Sequence, residues 1–148
     1  MAGTNYSTAH AERVVPYDQG VTDHTGPSDE LIADVFARGC TSRAALEDVA
    51  GKWGLLALLA LGEGAYRFNA LRRRVSGVSE KMLSQTLQAL ERDGIVHREV
   101  VTAIPPRVEY TLTPLGVEVA AKVRDLVELL ESAVPQIAAA RAAYSKGD

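Results

Sequence analysis

Residues 67–113 constrain the fold more than any other part of the chain. They contain a short basic helix, a turn around Gly77, an amphipathic helix, and two β-branched runs on either side of Pro105-Pro106. Two helices joined by a three-residue turn and followed by a hairpin form a helix-turn-helix with a β-wing, which places its second helix in the DNA major groove. The sequence therefore predicts a mainly α fold with a small β-wing.

Charge is distributed unevenly along the chain. The formal net charge is −3, which by itself argues against a nucleic-acid partner. Residues 1–50, however, hold eight acids and three bases, whereas residues 64–107 hold eight bases and four acids. Phosphate binding depends on local charge rather than on the total. The basic block coincides with the predicted helix-turn-helix, which favours double-stranded DNA as the partner.

The second helix of this unit is predicted from Ser79, a good N-cap, to about Asp93. Its apolar positions, which we expect to be buried, are Met82, Leu83, Leu87 and Leu90, with Thr86. The outward residue types suit groove recognition, since glutamine pairs with adenine and lysine with guanine. An ordinary solvated helix face is the alternative. The predicted DNA-contacting residues are Arg72, Arg73, Ser79, Lys81, Ser84, Gln85, Gln88, Arg98 and Arg107.

The basic residues on either side of that helix have distinct expected roles. Three consecutive arginines, Arg72 to Arg74, span much of a helix circumference, so one or two of them should contact the DNA backbone. A hairpin of residues 95–101 and 108–112 is predicted around a stiff tip at 102–107. Arg107 at that tip suits phosphate or minor-groove contact. Arg98 on the strand either contributes or forms part of its solvated face.

The remaining segments give the expected domain organisation. Residues 1–28 are predicted to be a disordered tail, residues 29–39 an N-terminal arm helix, and residues 40–134 the winged helix-turn-helix domain. Residues 135–148 form a C-terminal extension. The helix starting at Thr113-Pro114 is too apolar on its flanks for a small monomer, which predicts a helical dimer interface.

Several functional classes are disfavoured. No apolar stretch approaches the ~20 residues of a membrane span, and the N-terminus lacks the pattern of a secretory signal. A single cysteine favours a reducing cytoplasm. Three dispersed histidines and the lack of a phosphate-cradling glycine loop predict that the protein is not an enzyme and has no cofactor or metal.

Cys40 has two interpretations. Free cysteine is most often a small buried hydrophobic residue. Cys40 also precedes a predicted helix start and lies near Arg38 and Arg43, and such a cationic setting at a helix N-terminus raises thiolate reactivity. A thiol sensor is therefore the second interpretation.

Several blocks together resemble the HxlR-type winged helix-turn-helix transcriptional regulators, relatives of the MarR group. They are Cys40, Gly51-Lys52-Trp53, Tyr66-Arg67-Phe68, and residues 78–83 (VSEKML), 90–98 (LERDGIVHR), 105–110 (PPRVEY) and 111–116 (TLTPLG). The resemblance covers about 90 of the 148 residues. It implies homodimers that join through their N- and C-terminal helices and act as repressors or activators at palindromic operators.

Two modes of control are open, and the resemblance implies the first of them. Some members respond to electrophiles or oxidants through the cysteine at the position of Cys40, although Thr41 here follows it where the family usually has proline. A small ligand is the alternative effector, with Trp53, Leu56 and Tyr66 as candidate pocket walls or as plain core residues. The competing functional class is a winged-helix protein-interaction module that binds no DNA.

Overall fold

The computed structural model describes residues 33–147. The chain divides into two units, residues 1–43 and 44–148. The predicted disordered tail, residues 1–28, lies outside the described residues. The helices are α1 (Thr41–Ala50), α2 (Lys52–Leu61), α3 (Phe68–Arg74), α4 (Glu80–Arg92), α5 (Pro114–Ser132) and α6 (Val134–Gly147). The strands are β1 (Tyr66–Arg67), β2 (Val96–Ala103) and β3 (Pro106–Leu112).

The three strands form one antiparallel sheet in the order β1-β3-β2. With α3 and α4 before the β2–β3 hairpin, the described residues form a winged helix-turn-helix, and the predicted fold class is confirmed. The wing strands run closer to the tip than predicted, since Ala103 pairs with Pro106 and only Ile104-Pro105 make the turn. None of the helices in residues 33–147 is long and apolar enough to span a membrane.

The core joins α2, α3, α4 and the start of β2. Its fully buried side chains are Leu58, Leu71, Leu83, Leu87, Leu90 and Val96. Three of these leucines recur along α4 at the spacing of one helical face. Met82, predicted to share that face, is instead 42% exposed. Successive helical residues are 100° apart, so Met82 lies on the flank of the stripe centred on Leu83 and Leu87.

A single threonine joins the end of α4 to the start of α5. The Thr113 hydroxyl donates to the Gly94 carbonyl oxygen at 2.6 Å, and the Ile95 carbonyl oxygen lies 3.2 Å from it. The same oxygen caps α5 by accepting from the Gly116 N–H at 3.0 Å. A Cβ at Gly116 would overlap the Ile95 carbonyl oxygen. This close approach fixes α5 against the segment that ends the second helix of the helix-turn-helix.

A carboxyl pair lies where α1 meets α4. Asp93 follows the last turn of α4, and its Oδ2 atom is buried with no hydrogen-bond partner among the described residues. Burial, followed by the hydrogen bond and charge of the neighbouring Asp48 carboxyl, raises the pKa of Asp93 to about 6. Folding therefore favours the protonated form of Asp93 more than the unfolded chain does.

The N-terminal arm differs from its prediction, and the C-terminal extension, for which no structure was predicted, is a helix. The described part of the predicted arm helix, residues 33–39, consists of turns. The Asp34 carboxylate accepts from the Phe36 N–H at 3.1 Å, a local bond that competes with helix formation. Gly39 then takes a positive φ of 83°, which breaks the chain direction before α1. At the other end, the C-terminal extension is a regular helix, α6, because Pro135 falls in its first turn where no N–H partner is needed.

Candidate nucleic-acid interface

The outward face of α4 carries most of the predicted recognition residues. Ser79 takes an extended conformation, and its hydroxyl accepts from the Met82 N–H at 3.1 Å, so it caps the helix as predicted. Lys81, Gln85 and Gln88 are exposed and lie opposite the buried leucine stripe. Ser84 is half-buried on the flank of this face. The polar face is therefore continuous over two turns of the helix.

An open groove of about 770 Å³ separates α3 from the N-terminus of α4. It is lined by Asn69, Arg72, Arg73, Ser76, Gly77, Val78, Ser79 and Glu80. The N-terminus of a helix carries partial positive charge, so this groove favours anions such as phosphate. Asn69 was not among the residues predicted from the sequence. Its position, four residues before Arg73 on α3, is the signal that could have placed it on the same face.

The three consecutive arginines have three different environments. Arg72 contacts Glu80 at 3.5 Å and donates to the Val78 carbonyl oxygen at 3.5 Å, both long distances. Arg73 is exposed and has no hydrogen bond or ion pair with the described residues. Arg74 binds Glu63 with two short bonds of 2.9 and 2.7 Å. Arg72 and Arg73 are thus accessible cations, whereas Arg74 is already paired.

Glu63 forms the centre of a small polar cluster beside the helix-turn-helix. It accepts bonds from Arg74 and, at 2.7 Å, from the Tyr66 hydroxyl. The Arg74 guanidinium, aided by the Tyr66 hydroxyl, lowers the pKa of Glu63 to about 2. The same carboxylate raises the pKa of Tyr66, since it accepts a hydrogen bond from the phenolic hydroxyl. The cluster ties the end of α3 to β1 and to the loop after α2.

The wing carries the two remaining predicted cations. Arg98 lies opposite Tyr110 on the β2–β3 ladder, and Arg107 lies opposite Thr102 next to the tip. Both arginines are exposed. Ile104, at the tip itself, is 92% exposed. The wing therefore presents an apolar tip with a cation three residues further along the chain, a combination that suits contact with a groove edge.

Cys40 is buried and lies directly before α1. Its thiol donates to the Asp34 carbonyl oxygen at 2.6 Å, lies 3.2 Å from the Ser42 hydroxyl, and accepts from the Arg43 N–H at 3.3 Å. The Ser42 hydroxyl, with help from that backbone N–H, lowers the pKa of Cys40, although burial opposes the shift. The Arg43 guanidinium donates instead to the Phe36 carbonyl oxygen. Among the described residues, neither the Arg38 nor the Arg43 guanidinium is therefore bonded to the Cys40 sulfur.

The three candidate pocket residues are not brought together. Trp53 packs on the core, with the Lys52 amine 4.4 Å from its ring centre. Tyr66 also packs on the core and is bonded to Glu63. Leu56 lines a cleft of about 260 Å³ with Leu59 and Arg74, and neither aromatic ring forms part of its wall.

This fold, with the exposed polar face of α4, is that of a winged helix-turn-helix transcriptional regulator. Residues 48–138 match the family described as HxlR-like helix-turn-helix, and the chain belongs to that family. It is therefore a DNA-binding transcriptional regulator of HxlR/MarR type, and such regulators are not enzymes. The resemblance inferred from the sequence is confirmed.

Comparisons with individual proteins agree with this assignment. The chain is 50% identical over 108 residues to the uncharacterized HTH-type transcriptional regulator YtfH of Escherichia coli, covering 73% of this chain and 86% of YtfH. The structure of ytfH from Salmonella typhimurium matches with 50% identity, a TM-score of 0.68, and coverage of 73% and 96%. The oxidized form of the redox regulator HypR matches with 39% identity, a TM-score of 0.58, and coverage of 63% and 96%.

Proposed function

We propose that the protein binds a pseudo-palindromic site on double-stranded DNA as a homodimer. Helix α4 of each protomer enters the major groove, and the two helices lie about 34 Å apart, one turn of B-DNA. The observation that carries the proposal is the exposed polar face of α4, where Lys81, Gln85 and Gln88 lie opposite the buried leucines. On this account these three side chains contact base edges.

The remaining predicted residues contact the DNA backbone. Arg72, Arg73 and Ser79 line the groove between α3 and α4, where phosphate would meet the helix N-terminus. Ser84 on the flank of α4 reaches the edge of the same groove. Arg98 and Arg107 act from the wing. Arg74 makes no DNA contact, because Glu63 already occupies its guanidinium.

The proposed dimer forms through α5. Leu126, Leu129 and Leu130 on this helix are 48–63% exposed, as is Leu115 in its first turn. A cluster of large apolar side chains of this size is uncommon on the surface of a soluble monomer. Burying it between two copies places the two α4 helices in the two-fold arrangement that a palindromic site requires. The sequence also predicts a contribution from the N-terminal helices.

Control through Cys40 is the proposed mode of regulation, in a cytoplasmic protein. Its support is the lowered pKa of the thiol, together with the structural match to two redox-related proteins. One is HypR, described as a redox regulator, and the other is YodB from B. subtilis in its diamide-treated form, with 28% identity and a TM-score of 0.53. The Cys40→Ser variant should bind DNA normally and lose any response to diamide. An unchanged response would move the search to small ligands.

Selection of DNA from a random duplex pool tests the proposal, because the pool contains the operator whatever its sequence. The purified protein should enrich a sequence with two inverted half-sites centred about 10 base pairs apart. A variant with Gln85→Ala should enrich a sequence that is less restricted at one position of each half-site. Failure to enrich any sequence at low salt would contradict DNA binding and favour the protein-interaction module.

A further inference from the structure

At the start of α2, the Lys52 side chain lies over the face of the Trp53 ring. Its Nζ atom is 4.4 Å from the ring centre, a geometry in which the negative ring face attracts the ammonium. Trp53 is half-buried against the core, whereas Lys52 is exposed. Lys52 forms no ion pair with residues 33–147. The ring therefore restricts the positions of an ammonium that stays open to an anionic partner.

The same ring reaches the turn of the helix-turn-helix. A Cβ at Gly77 would lie 3.8 Å from the Cη2 atom of Trp53. Gly77 lines the groove between α3 and α4, together with Arg72 and Arg73. Its positive φ of 93° favours glycine, so no side chain stands between the indole and the turn. The indole thus links Lys52, on α2, to the edge of the groove that we assign to the DNA backbone.

A DNA strand that follows this groove continues past the turn. Each strand carries one phosphate about every 3.4 Å along the helix axis, so a second phosphate lies close to any that the groove holds. Lysine is a compact charge on a long stem, which suits a single phosphate oxygen. The Trp53 ring also keeps water from one side of the Lys52 ammonium, and this strengthens its attraction for an anion.

We propose that Lys52 binds a DNA phosphate next to those held between α3 and α4, with Trp53 as the platform that positions its ammonium. This inference rests on the proposed DNA binding and extends the contacting surface to α2, outside the helix-turn-helix. Phosphates are the same at every base pair, so the contact adds affinity without sequence preference.

The salt dependence of DNA affinity tests the contact. Lys52→Gln removes the charge and keeps a polar side chain. In this variant the slope of log affinity against log salt concentration should fall by about 2 per dimer. Affinity at fixed low salt should fall at least about tenfold, by the same factor on the selected DNA and on an unrelated duplex.

Two further variants serve as controls for the salt measurement. Lys52→Arg keeps the cation and should keep the wild-type slope. Lys146→Gln makes the same chemical change on α6 and should also leave the slope unchanged. A wild-type slope in Lys52→Gln, or a loss of affinity confined to the selected DNA, would overturn the proposal.

The emission of Trp53 separates failure of this contact from failure of DNA binding. Trp53 is the one tryptophan of the chain and is half-exposed, so quenching by acrylamide, a neutral molecule, reports its accessibility. Saturation with the selected DNA should lower the quenching constant of the wild-type protein. If a mobility shift shows bound DNA and the quenching is unchanged, the contact is wrong and the proposed function stands. If no DNA is bound at low salt, both fail.

Discussion

Removing the Thr113 hydroxyl should destabilise the protein, because this group makes two hydrogen bonds at the start of α5. The hydroxyl caps α5 by accepting from the Gly116 N–H and donates to the Gly94 carbonyl oxygen. Loss of a threonine N-cap costs about 1 kcal/mol, and loss of a second hydrogen bond costs about 0.5–1.5 kcal/mol. The Thr113→Val variant keeps the side-chain shape and loses both bonds. Its free energy of unfolding should therefore fall by about 2 kcal/mol.

Thr113→Ser is the matched control, because serine keeps both bonds and is an equally good N-cap. Urea unfolding followed by circular dichroism, at a fixed protomer concentration, measures both variants. In thermal melts of the same samples, the expected fall in Tm for Thr113→Val is about 4–8 °C in a chain of this length. Equal stability of the valine and serine variants would refute the argument that these two bonds hold α5 to the end of α4.

Three further predictions concern pH, assembly and salt. The pKa of Asp93 is raised to about 6 in the folded protein, so its protonation adds to the free energy of unfolding. This stabilisation is fully present below pH ~4 and is lost as the pH rises through 6. Asp93→Asn should flatten that decline and be about 1 kcal/mol more stable at pH 7.5 after allowance for screening, measured by urea titrations across pH. Leu129→Glu should give monomers in sedimentation velocity. Val117→Glu is the control, because exposed Val117 lies about 120° or more around α5 from Leu126, Leu129 and Leu130, and this variant should stay dimeric. A monomeric wild type contradicts the proposed interface. Arg107→Ala should lower the slope of log DNA affinity against log salt concentration by about 2 per dimer. Arg141→Ala on α6 is the control and should keep the wild-type slope. Equal slopes in Arg107→Ala and the wild type would show that Arg107 does not contact the DNA backbone.

The helix-turn-helix could be predicted closely from the sequence because its signals are local. The cap at Ser79 and the leucine period predicted α4 to within a residue of its observed bounds, Glu80–Arg92. Thr113 and Pro114 likewise marked the start of α5. Each of these signals acts within one or two helical turns, so the predictions do not depend on tertiary contacts.

The features that were missed depend on contacts distant in the sequence or on weak local competition. Nothing near Arg74 distinguishes it from its two neighbours, because its partner Glu63 is eleven residues away. Met82 is apolar and adjacent to the leucine stripe, but the packing of Leu83 and Leu87 turns it outward. The arm lacks a helix at residues 33–39 because one Asp34 hydrogen bond outweighs the propensity of a short segment.

The placement of α4 in the major groove is the central claim, and a double substitution tests it most directly. The measurement is the affinity of Lys81→Ala with Gln85→Ala for the selected DNA at fixed salt. A pair carrying Lys146→Ala and Gln136→Ala on α6 makes the same chemical change elsewhere. Each base contact is worth about 1–3 kcal/mol, so the α4 pair should lose about 100-fold or more in affinity while the α6 pair binds normally. Wild-type affinity in the α4 pair would show that another surface of the protein recognises DNA.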